Sequence, residues 1–194
     1  MLSVDLRINN LLTSGLMATS KFKTDQYDAE HFVESVGAIA IKVSTREVCL
    51  VRYAGEWMLA KGRRNVGESR QQAALREMKE ETGYSCHLLP LTMSTRAPRA
   101  IETGDYLDEL RVHEKVCEPF MLTCRHLNGG CNVKLIWWYI AAIDESAEVG
   151  RGEEQFEARL VGFDEALSIL TFENDREIVR KAVAVFEETK RPLV

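Results

Sequence analysis

Long apolar runs are missing from this 194-residue chain. No stretch approaches the roughly 18 residues that cross a bilayer as a helix, so a membrane is not an expected partner. Paired cysteines are missing too. The five present (Cys49, Cys86, Cys117, Cys124 and Cys131) are odd in number and contain no CxxC spacing. A disulfide framework or a cysteine zinc site would want closer, paired spacing, so isolated thiols of a reducing compartment are the better reading. Cytoplasm, with nucleus as a second location, is the expectation. Excess positive charge is also lacking: the net charge is −5, which gives no general attraction for nucleic acid. A local pocket on an acidic protein can still be basic. There is no internal repeat and no low-complexity stretch.

The first residues contain no long apolar stretch of a secretory signal. Asp5, and a single arginine before Lys21, argue against a mitochondrial presequence. Residues 1–31 are expected to be a flexible tail, with Met17 as an alternative start and residues 1–16 adding little to the fold. Residues 32–190 then form one domain, a length sufficient for a proper core.

What the chain does contain is a regular alternation of elements. Ser35 to Val43 is short, apolar and β-branched, as a buried strand should be. After a turn at Ser44-Thr45-Arg46, Glu47 to Tyr53 reads as its returning partner, and Trp57 to Ala60 as a third strand. A loop from Gly62 to Glu68 leads into a helix that begins at Ser69, which with Gln72 makes a capping box, and ends at Gly83. Further strands are expected near Ser85 to Leu89, Glu118 to Arg125, Val133 to Ile143 and Ala158 to Phe163. A polar region spans Ala97 to Asp108, and His126 to Asn132 is a turn. Trp137 and Trp138 lie in a run that is apolar on both faces, so at least one belongs in the core. Phe163 to Leu170 and Asp175 to Glu188 close the chain as helices. Strands bracketing a central helix, with a helical end, imply an α/β sandwich. His113 and His126 suggest no separate catalytic role.

The central helix carries the chemistry. At about 100° per residue, Glu77, Glu80 and Glu81 share one face while Ala74, Leu75 and Met78 share its neighbour. Arg76 lies four residues before Glu80, close enough to orient it. Like charges at this spacing repel by a few tenths of a kcal/mol per pair, about 0.2–0.5. A hard divalent cation with a preference for oxygen ligands removes that penalty. A solvated acidic face is the alternative, and spacing alone does not exclude it.

The residues around the stripe add a second argument. Gly62, five residues, Glu68, seven residues, then Arg76-Glu77-Met78-Lys79-Glu80-Glu81-Thr82-Gly83-Tyr84 resembles the signature box of the Nudix hydrolase family. Only Tyr84 departs, standing where the family has an aliphatic residue. The resemblance implies a Nudix-type α/β/α sandwich with a central mixed sheet and a glutamate-rich helix. It implies Glu77, Glu80 and Glu81 as metal ligands, with Glu80, Glu81 and Arg76 in catalysis, and magnesium, or manganese in its place, as cofactor. Gly62, Glu68 and Gly83 would be the structural residues of the box. The implied reaction is hydrolysis of a phosphoanhydride bond. In the diadenosine polyphosphate branch a loop glutamate assists the metal site, and Glu154 fits that place by spacing, with Glu153 the neighbouring alternative.

Trp57-Met58-Leu59-Ala60-Lys61-Gly62 resembles the entry to the box in diadenosine polyphosphate and diphosphoinositol polyphosphate hydrolases, with Ala60 where those have proline. Lys61, Arg63 and Arg64, joined by Arg96, Arg99 and Arg111, are the expected phosphate-binding cations, since arginine engages phosphate oxygens in pairs. The expected partner is a small polyphosphorylated substrate, with nucleic acid not expected except as a capped RNA end; oligomeric state stays open. Alternatives are another nucleoside diphosphate derivative such as a sugar nucleotide, a prenyl diphosphate, or a binding protein that keeps the fold without catalysis.

Overall fold

β1 (Phe32–Lys42) is apolar on both sides, and both sides are covered: Val36, Ala38 and Ala40 are buried on one face, Ile39 and Ile41 on the other. The structure is a computed structural model that describes residues 21–98 and 108–190, so Arg99 and residues 1–20 of the expected tail lie outside it. β2 (Glu47–Tyr53), β3 (Glu56–Met58) and β4 (Lys61–Arg63) follow β1, and then comes α1 (Arg70–Thr82). Next are β5 (Cys86–Leu88), β6 (Leu91–Thr95), β7 (Arg111–Val116), β8 (Met121–Leu127) and β9 (Asn132–Ile143). β10 (Glu157–Gly162), α2 (Phe163–Ile169) and α3 (Glu173–Lys190) complete the chain.

The main sheet runs β10-β2-β1-β9-β5, with β3 on β2, β4 on β1 and β8 on β9. β1 and β9 are parallel over ten register pairs, from Phe32↔Val133 to Ile41↔Ala142, and the other pairings are antiparallel, so the sheet is mixed. Ala73, Ala74 and Met78 of α1 cover the face that carries Val36, Ala38, Tyr139 and Ala141. Ile178, Val179, Ala182 and Phe186 of α3 cover the opposite face, with Ile39, Leu50, Trp138 and Ile140. This is the α/β/α sandwich expected from the sequence. Among the described residues no helix is long and apolar enough to cross a membrane.

Two details differ from expectation. The third strand is split, because the chain changes partner: β3 pairs with β2, whereas β4 crosses to β1 and carries Lys61 and Gly62 with it. The loop before α1 therefore begins at Arg64. A separate two-stranded sheet, β6 with β7, packs Leu91 and Met93 beside α3. Its mostly exposed outer strand carries no apolar alternation that would reveal it.

Candidate active site

The ends of α1 are fixed by local chemistry. Ser69 Oγ accepts from the Gln72 amide at 3.1 Å while the Gln72 side chain accepts from the Ser69 amide at 2.9 Å. At the other end Gly83 adopts φ 77°, and its N–H donates to Lys79 O at 2.9 Å. A Cβ at Gly83 would be strained and would lie 2.1 Å from Gly150 O, so only glycine fits both the turn and the loop that crosses it.

Arg76 is the organiser of the carboxylates. Its guanidinium donates to Glu68 at 2.8 and 3.0 Å, to Glu77 and Glu80 at 2.7 Å each, and to the carbonyl of Arg63 at 2.9 Å. One side chain thus ties the loop (Glu68, Arg63) to two glutamates of the helix. The Arg76 hydrogen bonds hold the Glu68 carboxyl below its ordinary value. Glu68 also accepts from the Asn65 amide at 3.0 Å, which closes the loop on itself.

Glu81 is placed differently. It is 8% exposed, and its Oε2 accepts from the Lys61 amide at 3.0 Å. Burial pushes its carboxyl up to about 7, against the opposing pull of the Lys61 amide and charge. Burial also raises Glu77, over the opposing hydrogen bond from Arg76. Glu77 Oε1, Glu80 Oε2 and Glu81 Oε2 are each committed to the protein, whereas the second oxygen of each carboxylate makes no hydrogen bond among the described residues. Three carboxylates with one free oxygen apiece make a donor set that fits a hard divalent cation. They do not converge on a single point: among the described residues no three acidic, thiol or imidazole groups form a ready metal cluster. Gly62 is essential to this arrangement, since a Cβ there would fall 1.8 Å from Glu77 Oε2 and displace the carboxylate.

The loop before β10 docks on the end of α1 through Gly150 N–H to Gly83 O at 2.9 Å and Glu153 N–H to Glu80 O at 2.8 Å. Glu153 is exposed and its carboxylate accepts from the Gln155 side chain at 2.6 Å, yet its charge lies close enough to contribute to the raised carboxyls of Glu77 and Glu81. Glu154, the residue favoured by spacing, turns to solvent and pairs with Arg151. The two share the wall of a cleft of about 390 Å³ with Glu81 and Gly152. The clue in the sequence is Gly152, whose missing side chain lets the backbone approach Glu81 O, so that the next residue arrives first.

The expected cations divide into two groups. Arg64 is bound up in structure: it donates to Glu34 at 2.8 Å and to the carbonyls of Asn65 and Glu68. Arg96 pairs with exposed Asp108 at 3.1 Å. Lys61 and Arg63, in contrast, have side chains without a hydrogen bond or ion pair among the described residues. Sequence reasoning overlooked Glu34, 11% exposed, which accepts from Arg64, Arg70 and the Trp137 indole. Burial opposes its ionisation, yet those hydrogen bonds outweigh it and hold its carboxyl below the usual range. Arg70 stacks on Trp137 at 4.1 Å, so Trp137 serves the loop while Trp138 (1% exposed) fills the core.

The NUDIX domain model matches residues 31–182, from the start of β1 into α3. The chain belongs to the Nudix family. A Caenorhabditis elegans protein named "Putative nudix hydrolase 1" is 34% identical over 70 residues, which span 34% of this chain and 19% of that longer protein. Among solved structures, a C. elegans Ap4A hydrolase has a TM-score of 0.55 at 18% identity, covering 80% of this chain and 98% of its own. A Nudix hydrolase from Nitrosomonas europaea has a TM-score of 0.54 at 16% identity, covering 83% and 93%. At these identities the likeness is one of fold. The matched span contains Gly62, Glu68, Arg76, Glu77, Glu80, Glu81 and Gly83, the residues that the Arg76 clamp and the two helix ends draw together.

Proposed function

We propose that this Nudix protein hydrolyses a phosphoanhydride bond in a polyphosphorylated small molecule, such as a diadenosine or diphosphoinositol polyphosphate, with magnesium as cofactor. The observation that carries the reading is the buried Glu81 carboxylate beside Glu77 and Glu80, each with one oxygen to spare. Burying ionised carboxylates is costly unless a cation compensates them. Glu77, Glu80 and Glu81 would hold that cation, which supplies polarisation of phosphoryl oxygens and a more acidic water.

The protein's own share of the reaction follows from the geometry. Arg76 fixes Glu77 and Glu80 in one orientation, and the Lys61 amide fixes Glu81. Glu153, whose amide donates to Glu80 O and whose charge reaches Glu77 and Glu81, would be the general base that takes the proton of the attacking water. The water oxygen bonds to one phosphorus, the bridging P–O bond breaks, and the departing phosphate leaves as an anion. Lys61 and Arg63 offer charge to the phosphate oxygens. The preference for phosphate-rich substrates is supported by these two cations and by the Trp57 to Gly62 segment that precedes the box.

Turnover of a panel with and without magnesium tests the reading. Diadenosine tetraphosphate and a diphosphoinositol polyphosphate are expected to be cut, and Glu81→Gln to lose roughly 100-fold or more in kcat with its fold intact by circular dichroism. Turnover of a sugar nucleotide, capped dinucleotide or prenyl diphosphate alone would replace the substrate class. No magnesium-dependent turnover anywhere would leave a binding protein.

A further inference from the structure

The strand register brings together four cations that lie far apart in the chain. Lys61 pairs with Gly37 and Arg63 with Ser35; Gly37 and Ser35 pair with Trp138 and Ile136; Lys134 pairs with Arg125. Because side chains alternate along a strand, Lys61, Arg63, Lys134 and Arg125 all stand on the face of Ile136 and Trp138, the α3 side of the sheet. None of the four side chains makes a hydrogen bond or ion pair among the described residues. Lys61 and Arg125 line a cleft of about 330 Å³ together with Phe172, Asn174 and Asp175 at the start of α3.

On a protein of net charge −5 this concentration of positive charge is local. Lys134 is half-buried, and its ammonium is lowered by burial and then by the charges of Lys61, Arg125 and Arg63. Asp175 is the acid within reach of Lys61 and Arg125, and burial raises its carboxyl rather than lowering it. Glu81 also feels the Lys61 charge and Glu77 reaches Lys134, but burial raises all three carboxyls, and none of them forms an ion pair with the four cations among the described residues. The face thus bears a repulsion that a multiply charged anion would relieve. Lys61 joins it to the catalytic end, because its backbone amide holds Glu81 while its side chain reaches the cleft.

We propose that Arg125 and Lys134, together with Lys61 and Arg63, form an anion subsite that grips substrate phosphates beyond the scissile anhydride. This rests on the hydrolase reading and names what would set its substrate range: the number of phosphates rather than the group they are attached to. A substrate with only two phosphates engages the carboxylate end alone. A longer chain, or an inositol ring crowded with phosphates, reaches both.

Lys134→Met keeps the apolar stem in its strand, and Arg125→Ala removes an exposed side chain, so two independent variants guard against misfolding. Each is expected to lower the ratio of kcat/KM for diadenosine tetraphosphate over ADP-ribose about tenfold, the effect of one charge-assisted phosphate contact. A diphosphoinositol polyphosphate assayed alongside separates a linear phosphate chain from a phosphorylated ring: a fall for either one supports the subsite and identifies which it grips. An unchanged ratio for both overturns it. Calorimetric binding of inorganic tripolyphosphate needs no turnover. Weaker binding by about tenfold in both variants supports the subsite even if no anhydride is cut, and equal affinity to wild type overturns it even if hydrolysis proceeds.

Discussion

On the α1 side of the sheet the arginines of the loop and helix are each answered by a carboxylate. Arg76 meets Glu68, Glu77 and Glu80, and Glu34 meets Arg64 and Arg70, at separations of 2.5 to 2.8 Å. On the α3 side Lys61, Arg63, Arg125 and Lys134 share a face and, among the described residues, meet no carboxylate in an ion pair. Both regions are densely charged, but the first spends its charges on its own geometry. The second keeps them available. A charged residue beside a site is therefore a poor guide to ligand binding until its partners are known: Arg63 and Arg64 are adjacent in sequence and fall into opposite groups.

The largest way to break this contrast is to open the clamp. Arg76→Met should leave Glu68, Glu77 and Glu80 facing one another without a cation. A stability loss of roughly 2–4 kcal/mol in urea denaturation is expected, discounted for the partial exposure of Arg76. Loss of kcat by roughly 100-fold or more should accompany it, through misplaced carboxylates. Stability equal to wild type would mean that the circuit is not a unit. A smaller effect separates the two loop glutamates: Glu153→Gln should reduce kcat by roughly 100-fold, whereas Glu154→Gln should stay within about twofold, since Glu154 contacts Arg151 in solvent. The reverse result would return the base to Glu154.

The smallest effect concerns the metal-free protein. Glu81 has a folded-state value near 7, above its ordinary 4.5, so the folded state holds the extra proton between those limits. Stability without metal should then fall as pH rises from about 4.5 to 7, and stay lower above it. Glu81→Gln, which keeps the shape without the charge, should be more stable than wild type at pH 8 by at most roughly 3 kcal/mol. The gap should close toward pH 4.5. A gap that does not depend on pH would show that Glu81 is ionised throughout.

The backbone plan was legible because its signals are local. Short apolar, β-branched runs marked β1 and β2, Ser69 and Gly83 bracketed α1 to within a residue, and Phe163 and the Ile178-Val179-Ala182 spacing announced α2 and α3. The glutamate stripe and its glycine were legible for the same reason, since thirteen residues of one helix and its loop contain them. What could not be read were relations across strands. Arg125 and Lys134 look like ordinary hairpin residues until register sets them opposite each other and on the face of Lys61. Glu34 looks like a surface acid until α1 swings Arg70 over Trp137. The β6–β7 pair lacked a pattern because only Leu91 and Met93 of its strands are deeply buried.

The parallel pairing of β1 with β9 has a consequence for how the molecule comes into being. Phe32 waits for Val133, about a hundred residues later, before its strand has a neighbour on that side, and closing so large a loop is slow compared with local pairing. As the chain leaves the ribosome, the whole glutamate helix is synthesised while half of its supporting sheet does not exist. The loop bearing Glu153 comes later still. Assembly of the catalytic end is thus one of the last events of folding, and until then the apolar flank of α1 and the open edge of β1 are exposed to whatever chaperones are present.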